Sequence, residues 1–106
     1  MNILITGVSG FVGEELAYFM QDNSQYKIIG IDKNEEISSK NIIFKKCNLI
    51  TEKDKLSKIF QTYNPDVVVH CASTILDTYD KDLVWKTNYY ATKDLLDICK
   101  TYNVKK

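Results

Sequence analysis

The sequence predicts an α/β fold built on a parallel sheet of about four strands in the order 3-2-1-4, with helices on both faces. Three observations predict it. Short apolar runs alternate with amphipathic helical stretches, which implies parallel strands joined by right-handed crossovers. The run "DVVVH" is apolar at successive positions, as a strand buried on both faces must be. A glycine-punctuated turn, "TGVSGFVG", joins the first strand to the first helix.

Each element follows in order. Asn2 to Thr6 is short and rich in β-branched and leucine residues, and it ends at a glycine, so it is expected to be a buried strand. After Gly10, the residues Val12, Leu16, Phe19 and Met20 recur at helical spacing and predict one buried face, ending near Asn23. Tyr26 to Ile31 is the second strand. "DKNEEISSKN" is polar and is expected to be a loop with at most a helical turn. Ile42 to Lys46 is the third strand. Thr51 is a good N-cap with Asp54 in the capping-box position. Leu56, Ile59, Phe60 and Tyr63 make the buried stripe of the next helix, which Asn64-Pro65 stops. Strand 66–70 follows. From about Asp80 to Asn103 a long helix is expected, with Val84, Thr87, Asn88, Ala91, Leu95, Ile98, Cys99 and Tyr102 on one side.

The chain of 106 residues is expected to be one domain. By size scaling it buries roughly 60–65% of its unfolded surface. The formal net charge is zero, which gives no reason to expect nucleic acid or an anionic membrane as partner. All fourteen basic residues are lysine, so a phosphate must be held by backbone N–H groups or by lysine as a point charge. Three scattered cysteines fit neither a metal knuckle nor a disulfide framework and suggest reduced thiols in a cytoplasmic protein. No leader or membrane-spanning stretch is evident.

The glycine turn carries the chemistry. Gly7 permits the tight turn, Gly10 lets a pyrophosphate approach the backbone, and Gly13 allows close helix packing. The following helix offers free N–H groups and the positive end of its dipole. Between a strand and an amphipathic helix this is the dinucleotide signature of a Rossmann-like, three-layer domain. Asp32 ends the second strand nineteen residues after Gly13. A carboxylate there accepts from an adenosine ribose and repels a 2′-phosphate, which favours NAD over NADP. Lys33 beside it attracts such a phosphate, and an aspartate closing a strand also serves as a plain turn residue.

These residues resemble the N-terminal part of the extended short-chain dehydrogenases/reductases, the NAD-dependent epimerase/dehydratase family. "TGVSGFVG" is similar to the family's TGxxGxxG turn, and "GID" to its acidic end of strand 2. "VVVHCAS" resembles its HxAA segment, with Ser73 where alanine is common. "KTNYYATKDLLDICK" resembles its N-V-x-G-T-x-N-L-L helix, with Asn88 and Thr92 on the asparagine and threonine and Ala91 in place of glycine. The resemblance runs through essentially the whole chain. It implies a cofactor site of Gly7, Ser9, Gly10, Phe11, Val12, Gly13, Asp32, Lys33, Asn48, Leu49, Cys71, Ala72, Ser73 and Asn88. Where the family has Asp-Leu or Asp-Ile after strand 3, with the carboxylate accepting from the adenine amino group, this chain has Asn48-Leu49. An amide oxygen can still accept there, without charge assistance.

The resemblance also implies a catalytic Tyr-x-x-x-Lys and a Ser or Thr after a fifth strand, then a sugar-binding part. Neither is expected in these 106 residues. Tyr89 to Lys93 and Tyr102 to Lys106 fit the spacing, but seven tyrosines and fourteen lysines in 106 residues make about one such pair by chance. Both lie one strand too early. His70, at the carboxyl end of its strand, reads as a packed, hydrogen-bonded residue beside the cofactor wall.

The expected function is therefore the NAD-binding segment of a nucleotide-sugar epimerase, dehydratase or reductase, truncated relative to the full fold, with hydride transfer only in the complete enzyme. A stand-alone nucleotide-binding or sensor module and a helix-mediated interaction protein are the alternatives. With no fifth strand, strand 66–70 is expected to be an unpaired edge, and the chain to self-associate through it or through the last helix.

Overall fold

A computed structural model describes residues 1–34, 41–72 and 81–106. The strands are β1 (Asn2–Thr6), β2 (Lys27–Asp32), β3 (Ile42–Lys46) and β4 (Val67–His70). They form one parallel sheet in the order β3-β2-β1-β4, as the sequence predicts. The register sets Leu4 beside Ile29 on one neighbour and Val68 on the other. Side chains alternate across the sheet, so β1 feeds two cores. Ile3 and Ile5 join Val8, Ile28, Ile42 and Ala17 of the first helix, α1 (Phe11–Met20). Leu4 joins Ile29, Ile31 and residues of two helices on the opposite face. Those are α2 (Lys53–Tyr63), through Leu56, Ile59 and Phe60, and α4 (Ala91–Thr101), through Leu95 and Ile98. The polar stretch at residues 35–40 lies outside the described residues.

Helix α1 presents a different face from the one its spacing predicts. Gly13 and Ala17 are buried and Leu16 and Met20 half-buried, while Val12 and Phe19 are 65% and 85% exposed. Two small residues four apart let the helix backbone come close to the turn and sheet, and that approach turns the larger side chains outward. Helix α2 also starts differently. Its N-cap is Glu52, with no side-chain cap, and Thr51 is exposed. The free amides before it are taken instead by Asn48, whose Oδ1 accepts from Ile50 N at 2.8 Å and Thr51 N at 3.3 Å. The helix ends as expected, on Asn64 in the left-handed region at φ 45°.

The last helix runs without a break from Lys81 to Thr101, but it is not uniform. After α3 (Lys81–Trp85) comes a π-helical turn, Lys86–Tyr90, before α4. A π-turn accommodates an extra residue, so the residues before it rotate relative to those after it. Ala91, Leu95 and Ile98 are buried as expected, whereas Asn88 is exposed. Exposed Trp85, Tyr89 and Tyr90 pack on one another, with Trp85 and Tyr89 stacked at 4.9 Å.

β4 departs from expectation in two ways. Its place at the end of the sheet is the expected one, but the apolar run Val67, Val68 and Val69 is only half-buried there. Nor is its outer edge wholly unpaired. Val68 N donates to Lys106 O at 2.7 Å, and Lys105 N to Asp66 O at 3.0 Å, so residues 105–106 run alongside the start of the strand.

Candidate functional site: a cleft at the carboxyl edge of the sheet

The strand order reverses direction between β1 and β4, and in open α/β sheets ligands bind outside the carboxyl ends at that point. A cleft of about 530 Å³ opens there. Its near wall is the turn from β1 to α1. Gly7 sits at φ +67°, and a Cβ on it would lie 2.7 Å from the Ala72 backbone. Gly10 N donates back to Gly7 O at 3.0 Å, and Glu14 N to Gly10 O at 2.9 Å. The N–H groups of Phe11, Val12 and Gly13 precede that first helical bond, so they have no acceptor within the helix, and these residues line the cleft. A Cβ on Gly13 would fall 2.2 Å from Gly7 O, so the helix start is pressed directly on the turn. On Gly10 a Cβ would meet only Gly7 O, at 3.3 Å, and otherwise point into open space.

Asp32, last residue of β2, forms the floor between this turn and the next wall. Its Oδ2 accepts from Ser9 N at 3.0 Å and its Oδ1 from Asn34 N at 2.9 Å. The carboxylate is a turn residue and is also fixed beside the cleft, with lone pairs to spare on both oxygens. Exposed Lys33 stands at the rim. The far wall is Cys47, Asn48, Leu49 and Ile50. Burial, then the Glu52 carboxylate, pushes the Cys47 thiol up to about 11, so it is inert at neutral pH. All three cysteines are free, and burial raises Cys71 and Cys99 as well. Among the described residues no cluster could hold a metal ion.

The cleft brings together Gly7, Ser9, Gly10, Phe11, Val12, Gly13, Asp32, Lys33, Asn48, Leu49, Cys71 and Ala72, all expected from the sequence. Ser73 lies outside the described residues. Asn88, on the π-turn, is not among the described walls. Sequence reading missed Ile31, Asn34, Cys47 and Ile50. Asn34 had a signal, since Asp-x-Asn after a strand is an Asx-turn pattern. The candidate tyrosine–lysine pairs lie elsewhere: Tyr89 is in the exposed aromatic stack, and Tyr102 packs on Phe60.

Behind the wall, His70 ties three elements together. Its Nδ1 lies 2.6 Å from Thr6 Oγ1 and its Nε2 2.8 Å from Thr92 Oγ1 of α4. Thr6 Oγ1 also accepts from Ala72 N at 3.2 Å. Thr6 is fully buried, so its own proton must go to His70 Nδ1, which leaves the ring proton on Nε2, donated to Thr92. The ring thus fixes Ala72 through Thr6. Burial lowers the His70 pKa below its ordinary value. As pH falls below about 6.5, the unfolded chain therefore takes up this proton first, and stability is lost down to the folded pKa. Urea midpoints at pH 7.5 and 5.5 are expected to drop further in the parent than in His70→Asn. Equal drops would show that the ring is not held neutral by the fold.

Parallel strands in this order, a glycine turn at the switch point and a carboxylate ending the neighbouring strand define a dinucleotide-binding Rossmann-type domain. Residues 3–106 match the NAD dependent epimerase/dehydratase family, and the chain belongs to it. It is 35% identical, over 99% of its length, to dTDP-D-glucose 4,6-dehydratase of Dictyostelium discoideum, of which it covers 27%. It is 31% identical, over 96% of its length, to dTDP-glucose 4,6-dehydratase of Haemophilus influenzae, of which it covers 34%. Among solved structures, UDP-glucuronic acid 4-epimerase from Bacillus cereus in complex with NAD superposes on the whole chain with TM-score 0.84, at 28% identity, and the match covers 38% of that protein. The chain thus spans about a third of the length of these relatives. No described helix is long and apolar enough to cross a membrane.

Proposed function

We propose that this chain supplies the NAD cradle of a cytoplasmic nucleotide-sugar epimerase, dehydratase or reductase. The observation that carries it is one cleft lined both by the first residues of α1, whose N–H groups have no acceptor within the helix, and by Asp32, with a glycine at the turn where a Cβ would meet only Gly7 O. The α1 amides hold the pyrophosphate, which suits a chain without arginine. Asp32 accepts from the adenosine ribose and repels a 2′-phosphate. Leu49 and Ile50 pack on the base. Bound NAD would accept a hydride from a sugar carbon. Among the described residues that line this cleft there is no tyrosine, and the chain is expected to hold the cofactor without turnover. Family membership, the dTDP-sugar dehydratase relatives and the NAD-bound epimerase structure support this reading.

Calorimetry with NAD, AMP and NADP tests it. NAD and AMP should bind with similar affinity, since the cleft meets the adenosine half. Asp32→Ala should weaken NAD about tenfold, the scale of a lost hydrogen bond to a charged group, and narrow the gap to NADP. No NAD binding at millimolar concentration would refute the cradle. An unchanged NAD to NADP ratio would reduce Asp32 to a turn residue.

A further inference from the structure

Thr62 and Thr101 turn their hydroxyls back on their own helices, to Lys58 O at 2.8 Å and Asp97 O at 3.0 Å, as threonine in a helix commonly does. Thr92, the second residue of α4, reaches the sheet instead, with its Oγ1 2.8 Å from His70 Nε2. Neither Thr92 nor His70 lines the cleft. Yet the chain of bonds that begins at Thr92 ends on the cleft wall. Thr92 accepts the ring proton from Nε2, and Nδ1 accepts from Thr6 Oγ1 at 2.6 Å. Thr6 Oγ1 in turn accepts from Ala72 N at 3.2 Å. Ala72 is where that wall meets the glycine turn, since a Cβ on Gly7 would lie 2.7 Å from both its Cα and its N. Gly7 O carries the start of α1: it accepts from Gly10 N at 3.0 Å, and a Cβ on Gly13 would collide with it.

The Thr92 oxygen selects this order of protons. Without it, Nε2–H has no acceptor among the described residues. A ring that answers by moving its proton to Nδ1 donates to Thr6 Oγ1, and the Thr6 hydroxyl proton then loses its own acceptor at a fully buried position. Either way one donor is orphaned, and the strain is relieved only by a shift of His70, Thr6 or the Ala72 backbone. We infer that Thr92 is a positioning residue for the dinucleotide: through the tautomer of His70 it holds Ala72 behind Gly7 and so keeps the phosphate-binding turn in shape, without touching the ligand. This rests on reading the cleft as the NAD cradle.

His70 is the one histidine of the chain, so nitrogen NMR reads its tautomer directly. The test sets that tautomer beside NAD, AMP and adenosine affinities from calorimetry, for the parent, Thr92→Val, Thr92→Ala and Thr92→Ser. It is run at pH 7.5, where burial keeps the ring neutral. Urea unfolding confirms that each variant is folded. The parent should carry its ring proton on Nε2. Thr92→Val and Thr92→Ala should move it toward Nδ1 and weaken NAD and AMP about tenfold, the scale of one hydrogen bond left unmade in a buried site. Adenosine, which has no phosphate for the turn to hold, should change less than twofold. Thr92→Ser keeps the hydroxyl and should match the parent in tautomer and affinity. Thr92→Val and Thr92→Ala that bind NAD within twofold of the parent, or weaken it with the tautomer unchanged, or lose adenosine as far as NAD, overturn the inference while leaving the cradle intact. A parent that does not bind NAD overturns the cradle and the inference together.

Discussion

Gly13→Ala is expected to lower the stability of this domain by about 3 kcal/mol, the upper part of the range for forced overpacking. A methyl group at Gly13 would lie 2.2 Å from Gly7 O, 2.9 Å from Gly7 C and 3.0 Å from Val8 Cα. All three are backbone atoms, so no side chain can swing aside. Either α1 withdraws from the turn or the turn moves, and both disturb Val8, which is fully buried. In an exposed helix interior the same change would stabilise by roughly 0.5–1 kcal/mol, so even the sign reports the contact. For a domain of this size the melting temperature should fall by about 12–20 °C. Gly10→Ala is the control, because its methyl meets one atom at 3.3 Å. If Gly13→Ala melts within two or three degrees of the control, α1 is not pinned on the turn.

That contact also shows why the face of α1 was misread. Counting apolar residues at helical spacing favours Val12 and Phe19, because it weights size. The helix is placed by the absence of size, at Gly13 and Ala17, and a small pair four apart was the signal to weigh. Strand bounds and order were legible because β1 and β3 are short apolar runs between clear breakers, and parallel topology follows from alternation. The π-turn at Lys86–Tyr90 had no such signature, so an unbroken period of 3.6 put Asn88 on the wrong side. At the site, residue identity marked nearly every wall of the cleft but not hydrogen-bond direction. Asn48 read as an acceptor, and only its two amide partners reveal that the oxygen is occupied. Thr92 read as part of a motif, and its role as the partner of His70 came from three elements meeting in space.

Gly10→Val should weaken NAD binding at least a hundredfold while leaving the domain folded. The two effects separate because of where the new atoms go. Gly10 has φ −81° and ψ 170°, extended backbone that a β-branched residue adopts freely. Its Cβ meets only Gly7 O at 3.3 Å, so the fold yields by a few tenths of an ångström. Glycine at this cap makes no side-chain hydrogen bond that valine would forfeit. The two methyl groups instead project into the cleft, where the pyrophosphate must sit to reach the α1 amides. NAD and AMP should therefore lose affinity together, while adenosine, which has no phosphate to displace, should lose least. Asp32→Ala should show the complementary pattern and weaken adenosine as much as NAD, since both carry the ribose. Melting of Gly10→Val should stay far above that of Gly13→Ala. If Gly10→Val binds NAD as the parent does, or loses adenosine as strongly as NAD, the phosphate is held somewhere other than the N-terminus of α1.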